Sequence, residues 1–168
     1  MRPYSSSPDK PPLNLDIDRI DRKILRELQD DGRIANVDLA KRIGLSPTAC
    51  LERVKRLTRD GYILGYGARL NPEKLSAGLL VFVEVLLDRT TPEVFERFKL
   101  AVTDRPEVQE CHLVAGGFDY LVKARVRDMK AYRDFLAGTL LSLPGVRETH
   151  TYAVMEEVKE SGTIHIPP

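Results

Sequence analysis

Apolar residues recur every three to four positions between residues 18 and 61, a spacing typical of amphipathic helices. Breaks in this pattern predict three helices, because each segment begins at a residue that can cap a helix and ends at a glycine. The predicted caps are Asp18, Asn36 and Ser46 followed by Pro47, and the terminating glycines are Gly32, Gly44 and Gly61. The predicted inward positions are Ile20, Ile24, Leu25, Leu28, Leu39, Ala40, Ile43, Cys50, Val54 and Leu57. Since only Leu45 lies between the second helix and the cap of the third, their connection is very short.

The spacing changes after Gly61, where YILGYGARLNP indicates a β-type linker punctuated by glycine. The next predicted strand, Leu79 to Leu87, is apolar on both faces except at Glu84, so both faces should be covered. Three more strands are predicted at Val108 to Val114, Tyr120 to Val126 and Val146 to about Val158. Two helices lie between them, with inward residues Val94, Phe95, Phe98, Ala101, Val102, Tyr132, Phe135, Leu136, Leu140 and Leu143. The order is therefore β-α-β-β-α-β.

This order predicts an α+β protein whose second domain is ferredoxin-like, an antiparallel sheet with both helices on one face. The other face of that sheet is open, yet its first strand is apolar there too. Because an apolar patch of that size is rarely left wet, we expect a homo-oligomer. The predicted divisions are a flexible arm at 1–15, a helix-turn-helix domain at 16–64, a strand linker at 65–76, a ferredoxin-like sensing and oligomerisation domain at 77–160 and a tail at 161–168.

Composition narrows the classes of protein that fit. The chain has 168 residues, 42% of them hydrophobic, with no run of eighteen apolar residues and no signal-peptide pattern at MRPYSSSPDKPP. We therefore expect a cytoplasmic protein without a membrane partner. Cys50 and Cys111 fall in different predicted domains without metal-ligand spacing, which favours reduced, packed thiols.

The net charge of +1 conceals a local excess of basic residues on and before the third predicted helix. The stretch from Lys41 to Arg59 contains six basic residues and one acidic residue, Glu52. A small residue at Ala40 and a turn glycine at Gly44 have the spacing of a helix-turn-helix that binds double-stranded DNA. The predicted DNA-binding residues on the third helix are Ser46, Pro47, Thr48, Ala49, Glu52, Arg53 and Arg56. The structural alternative is a three-helix protein-binding domain with a solvated basic face.

Four stretches of the chain together resemble one known family. They are LDIDRIDRKILRELQDDGRIANVDLAKRIGLSPTACLERVKRL, LLVFVEV, ECHLVAGGFDYLVKARV and LPGVRETHTYAVMEEVK, and the match runs from about Leu15 to Lys159. The chain is similar in these stretches to the Lrp/AsnC family of transcriptional regulators. That resemblance implies a winged-type helix-turn-helix joined by a strand linker to an amino-acid-binding domain. It further implies dimers that assemble into rings, with an octamer as the expected size, and a nucleoid-associated activator or repressor of amino-acid metabolism genes.

The same resemblance implies an amino-acid effector, with L-leucine as the expected ligand and no cofactor. The effector would lie between dimers, with its carboxylate on backbone N–H groups of a glycine turn and its ammonium near Asp119. The residues matched in this way are Leu113, Gly116, Gly117, Phe118, Asp119, Tyr120, Met129, Tyr152, Ala153 and Val154. Each has a structural alternative, because a Gly-Gly pair is usually only a turn and Leu, Met and Val are usually core residues.

Three other classes of protein fit the sequence less well. An enzyme is disfavoured because Cys111 and His112 point to opposite faces of a strand, and no nucleophile, base and oxyanion donor can be placed together. The scattered histidines and cysteines also lack metal-ligand spacing, so no metal site is predicted. A stand-alone amino-acid-binding module would not need the basic helix. An architectural chromosome-binding protein would differ in showing little preference for promoter over random DNA at fixed salt.

Overall fold

The computed structural model describes residues 17–167, so the predicted arm at 1–15 lies outside the described residues. The described chain divides into two compact units. The first contains the residues up to Ala68 together with those from Ser161 onward, and the second is Arg69–Glu160. The C-terminal tail therefore belongs to the same unit as the N-terminal helices.

The described part of the first unit contains three helices: α1 (Arg19–Asp30), α2 (Asn36–Ile43) and α3 (Pro47–Arg59). Its described residues contain no β-strand. The apolar positions predicted from helical spacing form one core, in which Ile24, Leu39, Ala40, Cys50 and Leu57 are buried. The three-helix arrangement predicted from the sequence is confirmed.

The caps follow the prediction in part. Asp18 forms a capping box with Asp21, Ser46 accepts from the backbone N–H of Ala49, and Gly44 adopts the left-handed conformation (φ 77°) that ends α2. Asn36 is not the cap of α2. Ala35 occupies that position, and the Asn36 side chain instead donates to the Pro47 carbonyl at 2.8 Å.

Gly32 does not terminate α1 as predicted. The helix ends at Asp30, and Asp31, in extended conformation, donates its N–H to the Glu27 carbonyl. A side chain at Gly32 would meet the Tyr66 ring, since a Cβ built there lies 3.2 Å from it. Gly32 is therefore explained by close packing and not by a left-handed backbone.

The predicted strand linker at 65–76 forms no strand within the described chain. The segment carries a short 3-10 helix, Glu73–Leu75, and Ser76 follows it in left-handed conformation. A strand needs a neighbouring strand for its backbone groups, and within residues 17–167 the four strands pair with one another and not with this segment. The β-type sequence of the linker is therefore not sufficient to make it a strand, because no neighbouring strand in the described chain pairs with it.

The second unit contains β1 (Leu79–Leu87), α4 (Pro92–Thr103), β2 (Val108–Leu113), β3 (Tyr120–Val126), α5 (Met129–Gly138) and β4 (Val146–Ala153). The strands form one antiparallel sheet in the order β2-β3-β1-β4. This confirms the predicted ferredoxin-like order. β4 is shorter than predicted, because its ladder runs out where Val154 donates to Leu80, at the start of β1.

The two faces of β1 differ in burial. Val81, Val83 and Val85 are fully buried in a core that includes Phe98 of α4 and Phe135 of α5, so both helices cover the same face. The intervening residues, among them Phe82 and Leu86, are only partly buried on the opposite face. Within one chain, the face of β1 that points away from the helices is therefore apolar but only partly covered.

Candidate nucleic-acid interface and ligand-binding turn

The outer surface of α3 begins at its cap. The Ser46 hydroxyl accepts from the Ala49 N–H at 3.2 Å, and Pro47 occupies the first turn, where its missing N–H costs nothing. Thr48, Ala49 and Glu52 are exposed together with these two residues, as predicted. The N-terminal half of α3 therefore presents hydroxyls and a helix N-terminus to solvent, groups that suit phosphate and base contacts.

Arg53 and Arg56 are held against α1 instead of projecting freely. Arg53 Nη1 lies 2.7 Å from Asp18 Oδ2 and 2.9 Å from Asp21 Oδ1, and Arg56 Nη2 lies 2.5 Å from Asp21 Oδ2. Asp21 is fully buried, so the two arginines neutralise a carboxylate inside the three-helix core. They link α3 to α1, a role that the helical spacing of the sequence does not predict.

Electrostatics support this arrangement. The backbone N–H of Asp21 and the Arg53 guanidinium both hold the pKa of the Asp18 carboxyl below its usual value. The hydrogen bonds to Asp18 and Asp21 in turn raise the pKa of Arg53. Asp18 thus caps α1 and at the same time binds α3.

Two basic residues that are not among the predicted DNA-binding residues lie on the outward side of α3. Lys55 is 61% exposed and pairs with Glu52 at 2.9 Å, and Arg59 is 74% exposed and pairs with Asp60 at 2.9 Å. Together with Thr48 and Glu52 they recur at three- and four-residue intervals, opposite the buried residues of the helix. That spacing was the available signal: counting turns from Cys50 and Leu57 favours Lys55 and Arg59 over Arg53 and Arg56 as outward residues.

The turn between β2 and β3 is fixed by Asp119. Its N–H donates to the Val85 carbonyl at 3.0 Å, and its Oδ2 accepts from the Leu87 N–H at 2.8 Å. Within the described chain, Asp119 Oδ1 has no hydrogen bond, and neither do the N–H groups of Gly116 and Gly117. Both glycines are exposed with open space where a Cβ would lie. The turn therefore offers donors and one acceptor oxygen to a small zwitterion.

Tyr120 does not share the surface of this turn. It is buried on the helix-covered face of the sheet, with its ring 4.5 Å from Phe98 and 6.0 Å from Phe95, centroid to centroid. Burial raises the pKa of its hydroxyl to about 12. Because successive strand residues face opposite sides, Tyr120 points into the core, so it supports the turn from beneath and does not line the predicted pocket.

The remaining predicted ligand residues lie at both ends of the sheet. Leu113 is exposed beside the turn, near the end of β1, whereas Tyr152 pairs with Phe82 and Val154 hydrogen-bonds Leu80 near the start of β1. Met129, which opens α5, is also exposed, as are Tyr152 and Ala153. At about 3.4 Å per residue along β1, Val154 lies about five residues, roughly 17 Å, from the level of the turn. Tyr152 lies about three residues, roughly 10 Å, from that level, and its hydroxyl donates to Glu84 at 3.1 Å. A single chain does not bring the predicted set together.

Other chemistry is sparse in the described part of the chain. Residues 17–167 contain no cluster of three potential metal ligands and no helix long and apolar enough to cross a membrane. Both cysteines are free thiols. Burial raises the pKa of Cys111 to about 11, which leaves it an inert thiol at neutral pH.

Comparison with known proteins assigns both units. Residues 80–164 match the family model described as the Lrp/AsnC ligand binding domain, and residues 17–63 match a winged helix-turn-helix DNA-binding model. The leucine-responsive regulatory proteins of Escherichia coli K12 and Salmonella typhimurium are each 64% identical over 151 residues, which is 90% of this chain and 92% of theirs.

Solved structures agree. A transcriptional regulator from Neisseria meningitidis, crystallised as a complex with L-Met, is 38% identical with a TM-score of 0.84, over 89% of this chain and 96% of that one. An AsnC family transcriptional regulator from Agrobacterium tumefaciens is 36% identical with a TM-score of 0.84, over 89% of this chain and 97% of that one.

Proposed function

The chain belongs to the Lrp/AsnC family and is a DNA-binding transcriptional regulator modulated by an amino acid, and on that premise we propose its DNA-reading face, its effector and its assembly. It is not an enzyme, because its close relatives are transcription regulators.

The proposed DNA-reading surface is the outward side of α3. Ser46, Pro47, Thr48, Ala49 and Glu52 would enter the major groove at the N-terminal end of the helix. Lys55 and Arg59, exposed on the same side, would contact phosphates. Arg53 and Arg56 would act mainly by holding α3 against α1.

The proposed effector is L-leucine. Two relatives with 64% identity are named leucine-responsive, and a structural relative carries L-Met. In this chain the Gly116 and Gly117 N–H groups would take the carboxylate and Asp119 Oδ1 the ammonium, while Leu113 and Phe118 would contact the apolar side chain. Leucine and methionine have similar volume, so an apolar pocket would distinguish them only weakly.

The proposed assembly is a homo-oligomer of dimers arranged in a ring, with an octamer as the expected size. One observation supports this proposal: the ligand residues matched by the family resemblance are spread along the sheet of one chain, with the turn at Asp119 near the end of β1 and Val154 near its start. The turn of one copy would therefore meet Met129, Tyr152, Ala153 and Val154 of another, so that the effector lies between copies. Such a regulator would be nucleoid-associated and would activate or repress amino-acid metabolism genes.

Calorimetry on Asp119→Asn tests the effector proposal. Asparagine keeps an acceptor oxygen for the Leu87 N–H but removes the charge that would pair with the ammonium, so L-leucine affinity should fall about ten- to a hundredfold. Asp134→Asn, an exposed acid on α5, is the matched control and should bind as the wild type does. The titrated ligands are L-leucine, L-methionine, L-alanine and L-asparagine. Undiminished binding in Asp119→Asn would refute the role of Asp119, and the absence of binding by any of them at millimolar concentration would refute the site.

A further inference from the structure

The chain returns to its first unit after completing the sheet. It passes between the units twice, once between Ala68 and Arg69 and again between Glu160 and Ser161. Residues 161–167 have no regular secondary structure and no strand partner within the described chain. Something other than a β-ladder must therefore hold this segment to the helical unit.

Two side chains of α1 hold it. Gln29 Nε2 donates to the Ile164 carbonyl at 3.0 Å, and the Ile164 N–H donates to Gln29 Oε1 at 2.7 Å. One primary amide thus satisfies both backbone groups of Ile164, as a residue of a neighbouring strand would. Arg26, one turn earlier on α1, donates two further hydrogen bonds: Nε lies 3.1 Å from the Ile166 carbonyl oxygen and Nη2 lies 2.5 Å from the Pro167 carbonyl oxygen.

The other crossing segment is anchored at the same end of α1. The Tyr66 ring packs against Gly32, just beyond the helix, and leaves little room for a side chain there. On the side of the second unit, Arg69 donates to the backbone carbonyl of Glu160 at 3.3 Å, so the two crossing segments lie side by side where they leave it. The segment at Tyr66 is therefore anchored inside the first unit, and the hydrogen bond between Arg69 and Glu160 joins the two crossing segments inside the second unit.

We infer that residues 161–167 form a strap, docked on Gln29 and Arg26, that holds the DNA-binding unit at a second point and restricts its reorientation. A unit tied by one linker samples many orientations, whereas a unit tied at two points samples few. In an assembly with several DNA-binding units, restricted orientation raises the effective concentration of the second unit at its half-site. This consequence rests on the proposed assembly, whereas the docking itself does not.

Two variants remove the docking by different routes. Gln29→Met keeps the length of the side chain but deletes both hydrogen bonds to Ile164. Truncation after Glu160 deletes the strap and leaves α1 unchanged, so it remains informative if the substitution disturbs the helix. Gln109→Met, on exposed β2, is the matched control because Gln109 lies in the other unit.

Amide-resolved hydrogen exchange tests the docking. In the wild type the Ile164 amide should exchange at least about tenfold more slowly than that of a free chain, because it is hydrogen-bonded. Gln29→Met should abolish this protection, and Gln109→Met should leave it intact. An Ile164 amide that exchanges at the free-chain rate in the wild type would overturn the inference.

DNA binding tests the consequence. A duplex selected by the wild-type protein from a random pool would be compared with the same duplex cut to one half-site, at fixed salt. The ratio of the affinities for the full and half duplexes measures the advantage of the full duplex. Gln29→Met and the truncated chain should lower this ratio about three- to tenfold, while they bind the half duplex as the wild type does. An unchanged advantage despite lost protection would refute the strap as a restraint. A wild type without any advantage for the full duplex would refute the proposed assembly, and the exchange experiment would still decide the docking.

Discussion

At the scale of single residues, the contact that most changes the interpretation is the buried carboxylate of Asp21. A buried ion pair with one partner removed is strongly destabilising, because a charge is left without compensation in the core. Arg53 and Arg56 both depend on Asp21, so a loss of DNA binding in either arginine variant does not by itself identify a base contact. Stability and binding must be measured together.

Arg56→Ala should lower both the free energy of unfolding and DNA affinity, since it removes one of the two partners of Asp21. Lys55→Ala should instead leave stability within about 0.5 kcal/mol and reduce the salt dependence of binding by roughly one phosphate contact. Urea unfolding and DNA titration at several salt concentrations would separate the two effects. A stable Arg56→Ala protein with weakened binding would restore a direct DNA contact for Arg56.

Asp18 predicts a pH dependence of stability. Its pKa is lowered in the folded state, so its contribution is fully present above the unfolded pKa, about 3.9, and is lost as pH falls through the lower folded value. Asp18→Asn can still cap α1 but cannot titrate. The difference in unfolding free energy between wild type and variant should therefore shrink steadily in urea titrations as the pH falls below the unfolded pKa of Asp18. A constant difference would contradict the ion pair with Arg53.

At the scale of elements, β1 distinguishes a core face from a contact face. Because β1 is apolar on both faces in the sequence, the pattern does not say which face packs inside the chain. Val83 lies on the core face, since it is fully buried beneath the helices. Phe82, on the opposite face and partly buried, is the residue that tests the contact between copies.

Phe82→Glu should leave the chain folded but lower the mass of the assembly in sedimentation at micromolar concentration. Val83→Asp should unfold the second unit, since an unpaired charge in that core costs several kcal/mol. Circular dichroism identifies the fold in each case, and Glu84→Asp is the mild control on the same strand. A Phe82→Glu protein with the wild-type sedimentation coefficient would exclude this face from the assembly.

At the scale of the whole molecule, the two units have separate hydrophobic cores. Leu57→Ala removes a buried side chain from the first core and should cost about 2 to 5 kcal/mol there. Phe98→Ala, in the second core, should cost about 3 to 5 kcal/mol. Calorimetry should resolve two transitions, each lowered by only one of the variants. A single transition lowered equally by both would indicate that the units unfold cooperatively.

Most of the local structure was determined by the sequence alone, because it depends on spacing and caps. The stripe from Cys50 to Leu57 predicted the buried side of α3, Ser46 with Pro47 predicted its start, and the apolar run from Leu79 to Leu87 predicted β1. The family of the chain also followed from the residues. These features are local or repeat at fixed intervals along the chain.

Which distant residues meet depends on how the helices and strands pack. Arg56 contacts Asp21, thirty-five positions away, and Gln29 binds Ile164, one hundred and thirty-five positions away. No periodicity reports such pairs, so Arg53 and Arg56 were predicted to project freely and the tail was predicted to be a separate segment. Likewise, the pairing of the strands placed the turn at Asp119 near the end of β1 and Val154 near its start. A hydrophobic pattern specifies the face on which a residue lies, whereas its partner across space depends on how the elements pack.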